Sequence, residues 1–208
     1  MDNKDTIKYL KDWLGTGSIN VFGLPYSGKD TVGIRLAESL GGKFLSSGLI
    51  LREAEKNDKE LNAELSQGML ASQDKFLSIV LPYFLRADIA EFPLVLSSVG
   101  RWSGEEYNVM AAARDSGHEI KAVVLLNVSE ADVKDRWDQA QIINDRGERT
   151  DDDSAEVLEK RIAEFREKTM PVLETYRDLG LLINVKADTP KDEVFSEVVK
   201  KLVEFASK

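Results

Sequence analysis

Cysteine is absent from this chain of 208 residues. That excludes disulfide bonds and thiolate metal sites, and it suits a reducing interior. Histidine is nearly absent as well. His118 stands alone, after Gly117 and ahead of a strand, where it reads as a surface turn residue. Long apolar runs are missing too. No stretch is long enough to span a bilayer and the N-terminus has no signal-peptide pattern, so a cytoplasmic location is expected. Basic residues are in deficit, 28 Lys and Arg against 37 Asp and Glu, for a net charge of −9. That balance argues against long nucleic acid or an anionic membrane as partners, and leaves room for a local pocket of arginines. There is no internal repeat and no low-complexity tract. Hydrophobic residues make up 42% and charged residues 31%, which is enough for a substantial globular core.

The strongest positive signal is Gly23-Leu24-Pro25-Tyr26-Ser27-Gly28-Lys29-Asp30-Thr31. A short apolar run, 19–22, precedes it, and 32–40 follow with helical spacing. Strand, glycine loop and helix form the context of a phosphate-binding loop. The glycines let the backbone curl so that several N–H groups point into one hollow, and the helix adds its N-terminal partial charge. Lys29 supplies a full charge for the outer phosphates. The pattern departs from G-x-x-x-x-G-K-[ST]: Asp30 stands where the hydroxyl is expected, and Thr31 comes one residue late.

Strands and helices alternate along the chain. The spacing predicts a leading helix over 5–14 that packs on the sheet edge. Strands are expected near 18–22, 43–46, 93–97, 120–128 and 181–185. Short charged helices are expected at 49–56 and 58–66, a longer one at 72–86 that Pro82 kinks or ends, and one at 105–116 with Ser103-x-x-Glu106 as a capping box. A short helix at 132–137 precedes a polar stretch, 138–150, without periodicity. A long helix covers 153–179, and Val194, Val198, Leu202 and Phe205 stripe the last one. Strands separated by helices imply a parallel sheet covered on both faces.

Four segments then resemble the adenylate kinase family of nucleoside monophosphate kinases, in a match that runs from about Ser18 to the C-terminus. The loop at 23–31 is similar to the family's G-x-P-G-S-G-K-G-T, with Tyr26 and Asp30 in place of two glycines. Ser46-Ser47-Gly48-Leu49-Ile50-Leu51-Arg52 is similar to S-T-G-D-x-L-R. Leu96 to Glu105 falls where the family carries L-D-G-F-P-R-T-x-x-Q. Arg149-Thr150-Asp151-Asp152 resembles R-x-D-D, Lys160-Arg161-Ile162 resembles K-R-L, and Thr169-Met170-Pro171 resembles T-x-P.

The resemblance implies an α/β, three-layer P-loop NTPase fold with a five-stranded parallel sheet, a small helical acceptor-binding subdomain and a short lid. The whole chain, 1–208, would be one kinase domain, with a leading helix at 1–17, the acceptor-binding insertion at 47–72 and the lid at 138–150. Gly23, Pro25, Tyr26, Ser27, Gly28, Lys29, Asp30, Thr31 and Arg136 would hold ATP. Ser47, Gly48, Arg52, Leu70, Ser72, Arg101, Glu105, Arg149 and Arg161 would hold the acceptor. Lys29, Arg101, Arg136, Arg149 and Arg161 would act on the transferring group. The lid's ends lie only about a dozen residues apart, which matches the short-lid branch. Without cysteine, the metal-stapled lid of some long-lid members is ruled out. Magnesium would arrive with ATP and have no dedicated protein site. The partners would be ATP and a nucleoside monophosphate, and a monomer is expected.

Three departures keep alternatives open. Ser97 replaces the aspartate that orders water around magnesium in the family. Ala140 replaces a family arginine. Glu105 replaces the glutamine that reads adenine, and an ionised carboxylate can only accept. Adenine offers it one amino donor, whereas guanine offers two adjacent donors. The expected activity is transfer of the terminal phosphoryl group of Mg-ATP to a nucleoside monophosphate, AMP by default. The alternatives are a nucleotide-binding regulator of the same fold with weak or no transfer, and a kinase for another small acceptor such as GMP or CMP.

Overall fold

The computed structural model describes residues 3–143 and 154–208. Its centre is a sheet of five parallel strands: β1 (Ser18–Gly23), β2 (Lys43–Ser46), β3 (Leu94–Ser97), β4 (Ile120–Asn127) and β5 (Leu182–Lys186), in the order β2-β3-β1-β4-β5. β1 pairs with β3 from Ser18 opposite Leu94 and with β4 through Gly23 opposite Leu126. All six residues of β1 are buried, as befits a central strand covered on both faces. Its polar residues are Ser18 and Asn20, and Asn20 reaches across to the loop leaving β3. Its side-chain nitrogen donates to the Val99 carbonyl at 2.8 Å and its oxygen accepts from the Val99 N–H at 3.3 Å, which clamps the loop leaving β3.

The helices are α1 (Asn3–Leu14), α2 (Lys29–Leu40), α3 (Ser47–Glu55), α4 (Lys59–Ser66), α5 (Gln73–Ile79), α6 (Glu105–Asp115), α7 (Glu130–Ile143), α8 (Ala155–Glu164), α9 (Met170–Asp178) and α10 (Lys191–Ala206). One face of the sheet packs Ile19, Val21, Val95 and Val124 against Leu10 and Leu14 of α1, Leu36 of α2 and Val198 and Leu202 of α10. The other packs Phe22, Leu96 and Val123 against Val109 of α6, Leu173 and Tyr176 of α9 and the helices between β2 and β3. A small third cluster joins Val133 of α7 to Leu158 and Ile162 of α8, with Tyr26 and Trp137 against it.

Several expectations are corrected here. The leading helix lies in the layer on one face of the sheet, beside α2 and α10, because Leu10 and Leu14 are fully buried among that face's residues. The helix expected at 132–137 runs on to Ile143, so 138–143 are helical; 144–150, the rest of the expected lid, lie outside the described residues. Of the two outcomes expected at Pro82, ending holds and kinking does not: α5 stops at Ile79, ahead of Pro82, which lies at the start of a separate 3-10 turn, Leu81–Leu85. The capping box fails, because Gly104 takes the N-cap position of α6 with φ 99° and Glu106 accepts from the Gly104 N–H at 2.7 Å. His118 is fully buried, with Nδ1 2.8 Å from the Thr16 carbonyl. The long helix at 153–179 is interrupted by a π-helical turn, Phe165–Thr169, between α8 and α9.

The chain leaves β1 toward one side of the sheet and leaves β3 toward the other. The crevice beyond the C-terminal ends of these neighbours is therefore the switch point of the topology, where open α/β sheets bind ligands.

Candidate active site

The loop after β1 and the loop after β3 form the floor of this crevice. Gly23 ends β1 with no room for a side chain: a Cβ there would lie 2.4 Å from Ser27 Oγ. The loop then turns through Tyr26 at φ 62° and Gly28 at φ 86° into α2, whose first residue is Lys29. Opposite, Ser98 takes φ 49° and Gly100 φ 83° on the way to Arg101. The Ser97 hydroxyl donates to Asp30 Oδ1 at 2.5 Å and so ties the two loops together.

Two clefts open from this floor. One, of about 880 Å³, is lined by Ser47, Leu70, Trp102 and Glu105, among others. The second, of about 1580 Å³, is lined by the loop from Pro25 to Thr31, by Arg136 and Ala140 of α7, and by 187–191 after β5. Both volumes include space open to solvent. Pro25, Lys29, Gly48, Arg52, Arg101 and Arg161 line both clefts. Four cationic side chains thus stand where the two cavities meet, delivered by four separate elements.

Each cation has a local reason for its place. Lys29 starts α2. Arg52, on the last turn of α3, lies across Gly48. Arg101 sits on the loop after β3, with Nε donating to the Ser98 carbonyl at 3.3 Å. Burial depresses the Arg101 guanidinium from its ordinary value, and the nearby Asp30 carboxylate acts in the opposite sense. Arg161 rises from α8, against Gly68.

The first cleft is held in shape by acids that bond backbone amides. Glu105, 2% exposed, accepts from the N–H groups of Arg101 at 2.7 Å and Trp102 at 3.0 Å through Oε2. Its Oε1 is buried and has no hydrogen-bond partner among the described residues. Burial pushes this carboxyl above its ordinary 4.5, against the lowering effect of the two amides. Glu164 accepts from the Leu70 N–H at 3.1 Å and ties 68–72 to α8. The Trp102 indole donates to the Ala71 carbonyl at 2.9 Å, and Lys168 stands 3.9 Å over its ring. The π-helical turn also faces this cleft, through Phe165 and Thr169. Such turns within α-helices are frequent at functional sites.

The residues expected from the sequence are distributed as follows. Pro25, Tyr26, Ser27, Gly28, Lys29, Asp30, Thr31 and Arg136 line the larger cleft, and Gly23 lines the smaller. Arg136 donates to the Tyr26 carbonyl at 3.2 Å and to the Ala187 carbonyl at 2.5 Å. Ser47, Gly48, Arg52, Leu70, Arg101, Glu105 and Arg161 line the smaller cleft. Ser72 lines neither cleft; its N–H donates to Glu64 Oε2 at 3.1 Å, at the start of α5. Arg149 lies outside the described residues. Trp102 and Glu164 line the smaller cleft without having been assigned a role from the sequence, and Gly68 lines it with a left-handed φ of 73°.

A family model described as an AAA domain matches residues 22–159. An adenylate kinase from Parasynechococcus marenigrum (strain WH8102) is 30% identical over 192 residues, covering 86% of this chain and 95% of its own. An adenylate kinase from Streptococcus pyogenes serotype M49 (strain NZ131) is 25% identical over 207 residues, covering 88% and 97%. Among solved structures, a gluconokinase from Sinorhizobium meliloti 1021 superposes with a TM-score of 0.62 at 21% identity, covering 92% of this chain and 94% of its own. That likeness speaks for the fold alone.

Proposed function

This chain belongs to the AAA domain family of that model and to the adenylate kinase family, and we propose that it transfers the terminal phosphoryl group of Mg-ATP to a nucleoside monophosphate, AMP by default. One observation carries the reading: two clefts meet along Lys29, Arg52, Arg101 and Arg161. Phosphoryl transfer requires two anions in line with their charge neutralised, and asks for little covalent help from the protein. The larger cleft contains the phosphate loop and takes the donor. Lys29 meets its outer phosphates as a point charge. The smaller cleft takes the acceptor, with Arg52 and Arg101 as planar forks for the monophosphate and Arg161 for the transferring group. No general base is needed.

Several site residues enter as part of this proposal. Ser47, Gly48, Leu70 and Glu105 shape the acceptor side, and Arg136 and Thr31 the donor side. The role of Arg149 rests on the resemblance alone. The region 47–72 serves as the acceptor-binding insertion, continued by α5. Two arginines at the acceptor end favour a phosphate dianion over a sugar acid such as the gluconate named for the structural neighbour.

A coupled assay with ATP and magnesium, run with AMP, GMP, CMP, UMP, dTMP and gluconate in turn, tests this. Turnover with at least one monophosphate and none with gluconate is the expected result. Tight ATP binding with no turnover on any acceptor would leave only a nucleotide-binding regulator.

A further inference from the structure

Asp30 poses an electrostatic problem. It is partly buried, directly follows Lys29, and lines the cleft assigned to a triphosphate. A carboxylate facing three phosphates is repelled by them unless a cation lies between. It is also fixed in place, because the Ser97 hydroxyl at the end of β3 donates to Oδ1 at 2.5 Å across the crevice. A magnesium ion bound to a nucleotide keeps several waters and takes one or two protein carboxylates. Among the described residues no group of three or more acidic or histidine side chains is arranged to hold a metal. Thr31, beside Asp30, supplies a hydroxyl to the same cleft.

We propose that Asp30 is the carboxylate that holds the magnesium ion of Mg-ATP, directly or through its water shell, and that Ser97 positions it by the hydrogen bond between the two loops. The inference rests on the donor assignment of the larger cleft. It accounts for a serine at the end of β3, since the negative charge is supplied from α2 and a second carboxylate 2.5 Å away would oppose it. A plain stabilising interaction of Asp30 with the N-terminus of α2 and with the nearby Arg101 guanidinium is the competing account, and it makes no distinction between metal-bound and metal-free nucleotide.

Calorimetric titration of ATP, once in excess magnesium chloride and once in EDTA, separates the two. Wild-type protein should bind ATP more tightly with magnesium. In Asp30→Asn that gain should shrink about 10- to 100-fold, the range found when groups around a metal are removed. Affinity in EDTA should hold or improve, since a charge facing the phosphates has gone. Asp30→Ala, which α2 accommodates easily, should behave alike and guards against misfolding of a single variant. Ser97→Ala should lose part of the gain. A wild-type magnesium gain retained in both Asp30 variants, or parallel weakening in both buffers, would overturn the proposal. Wild-type protein that binds ATP equally in the two buffers would overturn it as well. Wild-type protein that binds no ATP in either would instead refute the kinase assignment.

Discussion

Replacing Glu105 separates the framework of the smaller cleft from the selectivity proposed for it. Oε2 accepts two backbone N–H groups at 2.7 and 3.0 Å, and the residue is 2% exposed. Hydrogen bonds to a charged acceptor contribute about 1.5–3 kcal/mol each. Glu105→Ala leaves both amides bare at the edge of a wet cleft, so the low end applies, and a loss of about 3 kcal/mol is expected. The same change loosens the loop that carries Arg101, and the KM for the acceptor should rise while that for ATP holds. Glu105→Gln keeps an oxygen for both amides and removes a buried charge. Its bonds are weaker, its desolvation cost is smaller, and the net change should stay within about 1 kcal/mol. If Oε1 meets the base, Glu105→Gln should also shift selectivity toward AMP. The pH dependence has a definite sign. Burial raises the folded carboxyl above 4.5, so the folded state holds this proton more tightly than the unfolded chain. The contribution is complete below pH 4.5 and is lost as pH rises through the higher folded value. Urea unfolding of wild type and Glu105→Gln at pH 4, 5.5 and 7 should show the wild type losing ground to the variant as pH rises. A difference that is flat with pH, together with an unaltered Glu105→Ala, would refute the reasoning.

Three further outcomes follow from the geometry. Lys29→Met should lower kcat by at least about 10³ while the melting temperature stays near that of wild type, since the lysine faces the clefts; steady-state kinetics and a thermal melt check it. Arg52→Lys keeps the charge and loses the fork, so the acceptor KM should rise about 10- to 100-fold with the ATP KM unchanged. Gly68→Ala forces φ 73° on an alanine, at about 1–2 kcal/mol, and sets its Cβ 2.9 Å from the Val157 carbonyl and 3.1 Å from Arg161 Cγ. It should cost more than about 2 kcal/mol in denaturant unfolding and lower kcat by displacing Arg161.

The parts of the fold legible in sequence were those set by local pattern. Gly23 to Thr31 fixes a strand end, a loop and a helix start within nine residues, and the apolar runs at 94–97 and 120–127 are short and carry the β-branched residues that suit buried strands. What depends on distant partners was hidden. His118 looks like a turn residue beside Gly117, yet Thr16, far away in sequence, supplies the carbonyl that allows its burial. Ser103 and Glu106 carry the letters of a capping box, but the left-handed Gly104 between them changes the geometry, and Glu106 turns to the Gly104 amide and to Thr175. Glu105 was visible as a substituted position and not as the brace of its own loop, because its partners are backbone amides that any residue type would offer. The stretch 138–142 shows no periodicity because Asp138, Gln139, Gln141 and Ile142 are exposed and Ala140 is half-buried where it lines the larger cleft, so no core-facing stripe is written into it.

Tyr26 and Ser98 are the non-glycine residues with positive φ among those described, and both lie in the two loops that form the floor of the crevice. A conformation of this kind costs on the order of 1–3 kcal/mol and persists only where the surroundings enforce it. Both surroundings can be identified. The Ser98 carbonyl accepts from Ser47 Oγ at 2.7 Å and from Arg101 Nε at 3.3 Å, so its strained backbone fixes α3 and the Arg101 side chain to one atom. Tyr26 packs against the cluster of Val133, Leu158 and Ile162, and its carbonyl accepts from Arg136 of α7. The helices on either side of 144–153 are thereby joined to the phosphate loop, and the loop cannot relax to an ordinary turn without unpacking them. Glycine at 26 would remove the strain and the contact together. A tyrosine there trades about 1–3 kcal/mol of backbone strain for a rigid link between the larger cleft and α7 and α8, the helices that bring Arg136 and Arg161 to it.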